Sequence, residues 1–226
     1  MKRVVTPELL DEDLGTPEEI RSTLLDLRGI NKYFGGFGSV ASLLRTVASK
    51  AHIQSLSFLD VAGGTGDVAD EAVHQLARIG IGVRATVLDR ALSHINGFSV
   101  DMGKVAADAM AIPFKNGSFD VVGCNLFCHH LEPDSLTSFL NEALRVSHVA
   151  VIASDLRRNL FHWISAYLGR MTYRSRLTRH DAPASVRRAY TISEMDAIAS
   201  RTTAIRHDIA PHYFQRFGLI LWKRQL

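Results

Sequence analysis

Three glycines set between a strand-like apolar run and a helix-like stretch constrain this chain more than any other feature: Gly63, Gly64 and Gly66 in FLDVAGGTGDVA, residues 58–69. Glycine there lets the backbone take positive φ and lets a ligand approach without a Cβ in the way, and the helix that follows presents unpaired N–H groups. The strand and helix rhythm then repeats. SFLDV, GVRATVLD, FDVVGCNLF and HVAVIASDL read as strands, with DVADEAVHQLARIG and PDSLTSFLNEALRVS as helices among them. Strands that are apolar on both faces and joined by helices form a parallel sheet covered on both sides, and right-handed crossovers make it doubly wound. Ligands of such an α/β sheet sit at its carboxyl edge.

The two ends depart from this rhythm. Thr16, Pro17 and Glu19 spell a capped helix start with Ile20, Leu24 and Leu27 as its apolar stripe, ended by Gly35 and Gly36, and a second helix is predicted over about Ser39 to Ala48. Residues 157–190 read as one aromatic-rich helix (RRNLFHWISAYLGRM) and a polar loop, followed by a short helix from about Ser193 and the strands TAIRHDI and YFQRFGLILWK. The gap around Pro211 and His212 is too short for a crossover, so the last two strands are predicted to be antiparallel. The expected organisation is a helical cap over 1–50 and a cofactor-binding domain over 51–226, with 157–190 inserted after the fifth strand as a lid.

A composition of 46% hydrophobic and 22% charged residues excludes disordered, collagen-like and coiled-coil chains. The net charge of +3 is too mild to indicate nucleic acid by itself. No window approaches the roughly 20 apolar residues of a membrane span, and no signal-peptide pattern opens the sequence. Cys124 and Cys128 are the only cysteines, which suits a reducing, cytoplasmic setting better than a disulfide scaffold. In an extended strand they stand about 13 Å apart, too far to share one zinc with His129 and His130, so no metal site is expected.

Three ligands use a glycine turn of this kind. A nucleoside triphosphate needs a Lys-Ser or Lys-Thr after Gly66, and there is none. A dinucleotide could use Ala69 for helix packing and Asp89 for its ribose, and the loop alone leaves it open. Asp60 discriminates: a carboxylate before the glycines sits poorly beside a pyrophosphate but attracts the ammonium of the methionine moiety of S-adenosylmethionine. Asp89 then suits the ribose hydroxyls, and Asp108 in KVAADAMAIPF suits the adenine amine, with the main chain near Ala109 beside the ring.

At these residues the sequence resembles the class I S-adenosylmethionine-dependent methyltransferases. LDVAGGTGD is similar to the glycine loop of the ubiquinone and menaquinone biosynthesis C-methyltransferases, and DAMAIPFKNGSFDVV resembles the segment before their fourth strand. The resemblance covers about Phe58 to Val151. It implies a Rossmann-like, seven-stranded, mostly parallel sheet with a terminal antiparallel hairpin, and S-adenosylmethionine as cofactor. It implies a cofactor shell of Asp60, Ala62, Gly63, Gly64 and Gly66 at the first strand, Asp89 and Arg90 at the second, Asp108, Ala109 and Met110 after the third, and Asn125 at the fourth. The Lys-Pro-Gly-Gly turn usual before the fifth strand is replaced by RVSHVAV. The tail after Asp155 is similar to methyltransferases of polyketide or phenolic metabolism.

The acceptor expected is therefore a small aromatic molecule, phenolic, polyketide or quinone-like, methylated at oxygen or carbon. A phenol has a pKa near 10 and needs a base, for which histidine is suited. NLFCHHLEPD puts His129 and His130 just past the fourth strand as catalytic candidates, one or both facing the cleft or simply starting a helix. Phe127, Arg157, His162, Trp163 and Tyr167 are the candidate acceptor contacts. Trp163, Tyr167 and Met171 form a helical stripe, either a packing face or a lid over a flat ring. Tyr33 in NKYFGGF is a candidate wall over the cofactor's methionine end.

Rival readings are an RNA or protein methyltransferase and an inactive cofactor-binding subunit. Eight arginines against Asp181 give the insertion +7, which can hold an anionic acceptor, a carrier protein or RNA. Nucleic acid is disfavoured by the missing Asn-Pro-Pro-aromatic motif after the fourth strand. The sequence does not fix an oligomeric state.

Overall fold

In the computed structural model, which describes residues 1–11, 15–95 and 102–225, five parallel strands form the sheet first. They are β1 (Ser55–Val61), β2 (Gly82–Asp89), β3 (Gly103–Ala106), β4 (Phe119–Asn125) and β5 (Ser147–Leu156). β6 (Arg206–His212) and β7 (Arg216–Trp222) complete it, β7 running antiparallel to both β5 and β6. The order is β3-β2-β1-β4-β5-β7-β6. It is the seven-stranded, doubly wound arrangement expected, and its strand order reverses between β1 and β4, which opens a crevice at their carboxyl ends.

The helices are α1 (Pro17–Tyr33), α2 (Gly36–Lys50), α3 (Asp67–Ala77), α4 (Leu92–Ile95), α5 (Pro133–Val146), α6 (Leu160–Gly169), α7 (Arg176–Arg188) and α8 (Ile192–Ala199). Strand alternation sorts the core into two layers. Phe58, Val121 and Ile152 pack with Val40, Leu44 and Val47 of α2 and Ala72 and Leu76 of α3. Their neighbours Leu59, Val122 and Val151 point the other way, toward Leu136, Phe139 and Leu140 of α5 and Met195 of α8. Gly123 keeps the first layer closed: a Cβ there would lie 2.7 Å from Ile152 and 2.8 Å from Phe58.

The capping box of α1 forms as read, with Thr16 and Glu19 each accepting from the other's backbone N–H. Other local readings shift. The second helix starts at Gly36, three residues early, because Gly35 takes φ +79 and serves as its cap. The polar loop expected within 157–190 contains α7, a helix despite Pro183, whose face bearing Leu177, Ala184 and Val186 is buried. Pro211 and His212 belong to β6; the hairpin turns at 213–215, where Tyr213 and Gln215 take positive φ. The corner written RVSHVAV has no loop, since α5 ends at Val146 and β5 begins at Ser147. Among the described residues no helix is long and apolar enough to cross a membrane.

Candidate active site

Above the carboxyl ends of β1, β2 and β4 lies a cavity of about 770 Å³, walled further by α1, α6, α7 and residues of the N-terminal segment. Its floor is the glycine turn. Ala62 and Gly64 both take φ +55 and Gly66 takes φ +83, so the chain curls away from β1 before α3 begins. Gly63 is required by Asp60, because a Cβ there would sit 2.7 Å from Asp60 Oδ2.

Asp60 is 1% exposed, and neither of its oxygens accepts a hydrogen bond. Burial, and then the charge of Asp89, pushes its pKa up to about 7. A buried carboxylate with no partner, beside a glycine cradle and facing a cavity, fits a ligand that brings a cation, as the methionine end of S-adenosylmethionine does. Asp89 is already positioned, with Oδ2 accepting from the Gly64 N–H at 2.9 Å and Oδ1 from the Ala91 N–H at 2.9 Å. Asp108 Oδ1 accepts from the Met110 N–H at 2.8 Å. Arg90, Ala109 and Met110 line the same end of the cavity.

Asn125, also on the wall, belongs to a polar cluster at the end of α1. Arg216 donates to Asn125 Oδ1 at 3.0 Å, to Asn31 Oδ1 at 3.2 Å and to the Phe34 carbonyl at 3.0 Å, while Asn125 donates to Asn31. Arg216 is buried, which lowers its pKa to about 10 although Asp155 opposes the shift. It ties α1 to β4 and β7 across the cavity floor. Neither Asn31 nor Arg216 was among the sequence candidates; the one hint is a lone charge in the apolar run YFQRFGLILW.

Four histidines line the cavity: His94, 4.0 Å from Asp89, and His129, His130 and His162, with Phe127 stacked near His130. His129 is buried, and its Nδ1–H donates to Asp155 Oδ1 at 2.7 Å while its backbone N–H donates to Asp155 Oδ2. Burial alone would depress its pKa, but Asp155 and then Glu8 outweigh it and push it up to about 10. The Nδ1 of His130 lies 2.7 Å from Asp11 Oδ2. Glu8 and Asp11 arrive from the N-terminal segment, which α7 fastens: Asp181 accepts the N–H groups of Leu9 and Leu10. His162 differs. Its Nδ1 bonds the Arg157 carbonyl at 3.0 Å, which makes that nitrogen the donor, and burial with the charges of Arg216 and Arg157 lowers its pKa against that bond. The ring is neutral at pH 7, and Nε2 carries its lone pair.

Several sequence candidates stand outside the cavity wall. Tyr33 is 75% exposed and sits in a shallow surface groove with Tyr213, because the helix end turns Asn31 and Phe34 inward instead. Gly66 caps α3 behind the wall. Trp163 and Tyr167 stack on each other on the outer side of α6, with Arg170 over the Tyr167 ring. The side of α6 facing the cavity is His162, Ser165, Ala166 and Gly169, so the aromatic stripe neither fills the core nor covers the cleft. Arg157 reaches Gln215. Cys124 and Cys128 have sulfurs 3.7 Å apart rather than 13 Å, since the strand ends at Asn125 and Leu126, at φ +55, folds the chain back into a 3-10 turn.

Residues 58–148 match the methyltransferase domain family. A comparison with curated protein sequences finds no match. Among solved structures, the plantazolicin methyltransferase BpumL, in complex with a monoazolic desmethylPZN analog and SAH, superposes at a TM-score of 0.62 with 15% identity, over 96% of this chain and 100% of that one. An S-adenosylmethionine-dependent methyltransferase from Aquifex aeolicus gives 0.60 at 16% identity, over 90% and 98%. Human N-acetylserotonin methyltransferase in complex with SAM gives 0.65 at 12% identity, over 92% of this chain and 57% of that one. The family match gives residues 58–148 a methyltransferase domain, and these solved structures share the seven-stranded, Rossmann-like methyltransferase fold of the whole chain.

Proposed function

We propose that the chain methylates a small aromatic acceptor carrying an ionisable hydroxyl, of phenolic, polyketide-derived or quinol type. The observation that carries this reading is the lining of the cavity, where the unpartnered Asp60 and the positioned Asp89 and Asp108 share one space with His129, His130, His162 and Phe127. S-adenosylmethionine, when bound, supplies an electrophilic methyl group on a sulfonium, and in-line alignment contributes up to roughly 7–11 kcal/mol to such a displacement. The cofactor role of the Asp60 to Gly66 turn, Asp89, Arg90, Asp108 to Met110 and Asn125 is part of this proposal. So is the division into an N-terminal cap and a lid over 157–190.

What remains for the protein to do is take the acceptor's proton. His129 carries its own proton and has Asp155 and Glu8 on either side, so it suits holding charge rather than accepting it. His162 is neutral, lines the cavity and has Nδ1 occupied by the Arg157 carbonyl, which leaves Nε2 as the free nitrogen and makes it the favoured base, with His130 next to the acceptor. Two named neighbours support a small aromatic or peptide-derived acceptor, one being an N-acetylserotonin methyltransferase and the other crystallised with a monoazolic analog.

The arginines of the insertion give little support to nucleic acid. Arg158 pairs with Glu194, Arg176 with Glu19 and Arg188 with Glu8 and Asp11, so these three charges are used inside the molecule. The test is S-adenosylhomocysteine release from the purified chain against a panel of phenols, quinols, polyketide aromatics, carrier-bound acceptors and transcript RNA. Turnover of one aromatic class is expected; turnover of RNA or protein alone would overturn the reading.

A further inference from the structure

The most unusual group in the molecule lies where the N-terminal segment meets the turn after β4. Glu8, His129 and His130 each direct one ligand atom to a common point, all three atoms lying within 4.8 Å of one another. His129 Nε2 is 3.5 Å from Glu8 Oε1, and His130 Nε2 is 3.9 Å from Glu8 Oε2. Glu8 is buried, and its Oε1 accepts no hydrogen bond. Ligand atoms on a tetrahedral zinc at about 2.0–2.2 Å stand about 3.4 Å apart, so side-chain rotations that close the three atoms by up to about 1.4 Å would let them share one ion.

The outer contacts point the same way. The Nδ1 of His129 is held by Asp155 and that of His130 by Asp11, each at 2.7 Å. A carboxylate on Nδ1 fixes the ring tautomer that leaves Nε2 for a metal and raises its basicity. In the empty site His129 holds a proton between Asp155 and Glu8, and Arg188 lies 3.6–3.9 Å from Asp11 and Glu8, so an ion would take the place of the His129 proton rather than add to it. His129 and His130 also line the cavity, which leaves a coordination position toward the acceptor.

We infer that Glu8, His129 and His130 form a three-ligand site for a borderline divalent cation of the zinc, cobalt or nickel class, with Asp11 and Asp155 as its outer carboxylates. Two imidazoles and one carboxylate favour these ions over magnesium or calcium, which prefer all-oxygen shells. Binding of the ion stands apart from the acceptor's identity. Only its use, drawing an acceptor oxygen to the open position, rests on the aromatic reading.

The test uses the full chain, stripped with a chelator and titrated with Co²⁺ in the absence of cofactor and acceptor. One equivalent should bind with the visible d–d bands of an imidazole-ligated ion, and Zn²⁺ should displace it. Glu8→Gln and His130→Ala should each weaken Co²⁺ binding at least tenfold, and Asp11→Asn by about 10–100-fold. Circular dichroism and S-adenosylmethionine titration report that each variant is folded. A wild-type chain that gives no d–d bands, or folded Glu8→Gln and His130→Ala variants that bind Co²⁺ like the parent, would overturn the site. Because no methyl transfer is measured, an aromatic panel that fails to react leaves this result standing, and the converse holds.

Discussion

A Cβ on Gly63 would lie 2.7 Å from Oδ2 of Asp60, so the glycine and the carboxylate divide a space that holds only one of them plus a side chain. Gly63→Ala must therefore displace Asp60, whose two buried oxygens both lack a hydrogen-bond partner. S-adenosylmethionine affinity by titration calorimetry should fall at least tenfold, about 1.4 kcal/mol, with a small change in melting temperature. Unchanged affinity would mean that Asp60 does not face the cofactor.

The same carboxylate makes stability and binding oppose each other. Asp60 sits at about 7 against an ordinary 3.8, so the stability it lends is complete below pH 4 and lost as pH rises through 7, on the order of 4 kcal/mol in all. Asp60→Asn removes that dependence. The unliganded variant should melt higher than the parent at pH 8 but not at pH 4, and it should bind cofactor weakly at both. In the parent, cofactor affinity should rise with pH and level off above about 7. A flat profile would count against the charge.

His162 is expected to carry the proton transfer. Because burial holds its pKa below 6.5, the acid limb of kcat/KM for the acceptor should lie under pH 6.5. His162→Gln should cost 10²–10⁴-fold in kcat, the usual range for a lost general base, with cofactor affinity kept within twofold. A variant with normal kcat would return the role to His130.

The inner side of α6 should set acceptor fit. Ala166→Phe narrows the cavity where Ala166 and Gly169 line it, so acceptor KM should rise while cofactor affinity holds. Trp163→Ala and Tyr167→Ala, on the outer side, should leave acceptor KM nearly unchanged. A large KM effect from either outer ring would mean that α6 rotates in use.

The strand order and the glycine turn were legible because each follows from residues adjacent in sequence: apolar runs, positive-φ glycines, and aspartates at strand ends. Errors arose where a helix face had to be chosen without a partner in view. The period of Trp163 and Tyr167 is helical, but α6 turns Ser165, Ala166 and Gly169 to the cavity and leaves Leu160, Phe161, Ile164 and Leu168 exposed, against the usual burial of the apolar side. α7 is hidden in the sequence by Pro183 and a polar surface, since its buried face forms only against distant elements, α1, α6 and the N-terminal segment. Glu8 and Asp11 had no local signal, because His130 is 119 residues from Asp11 in sequence.

The N-terminal segment has a consequence for how the molecule is made. Its fasteners, Asp181, Arg187 and Arg188, are translated more than 170 residues after the groups they bind. A ribosome emits the clasp first and its catch only after all five parallel strands, which end at Leu156, so those strands can pair while the acceptor end still stands open. The reactive half of the pocket then locks later than the parallel sheet. By the same order of events it should be the first to let go, and amide exchange should find Leu9 and Leu10 opening well before β1 or β4.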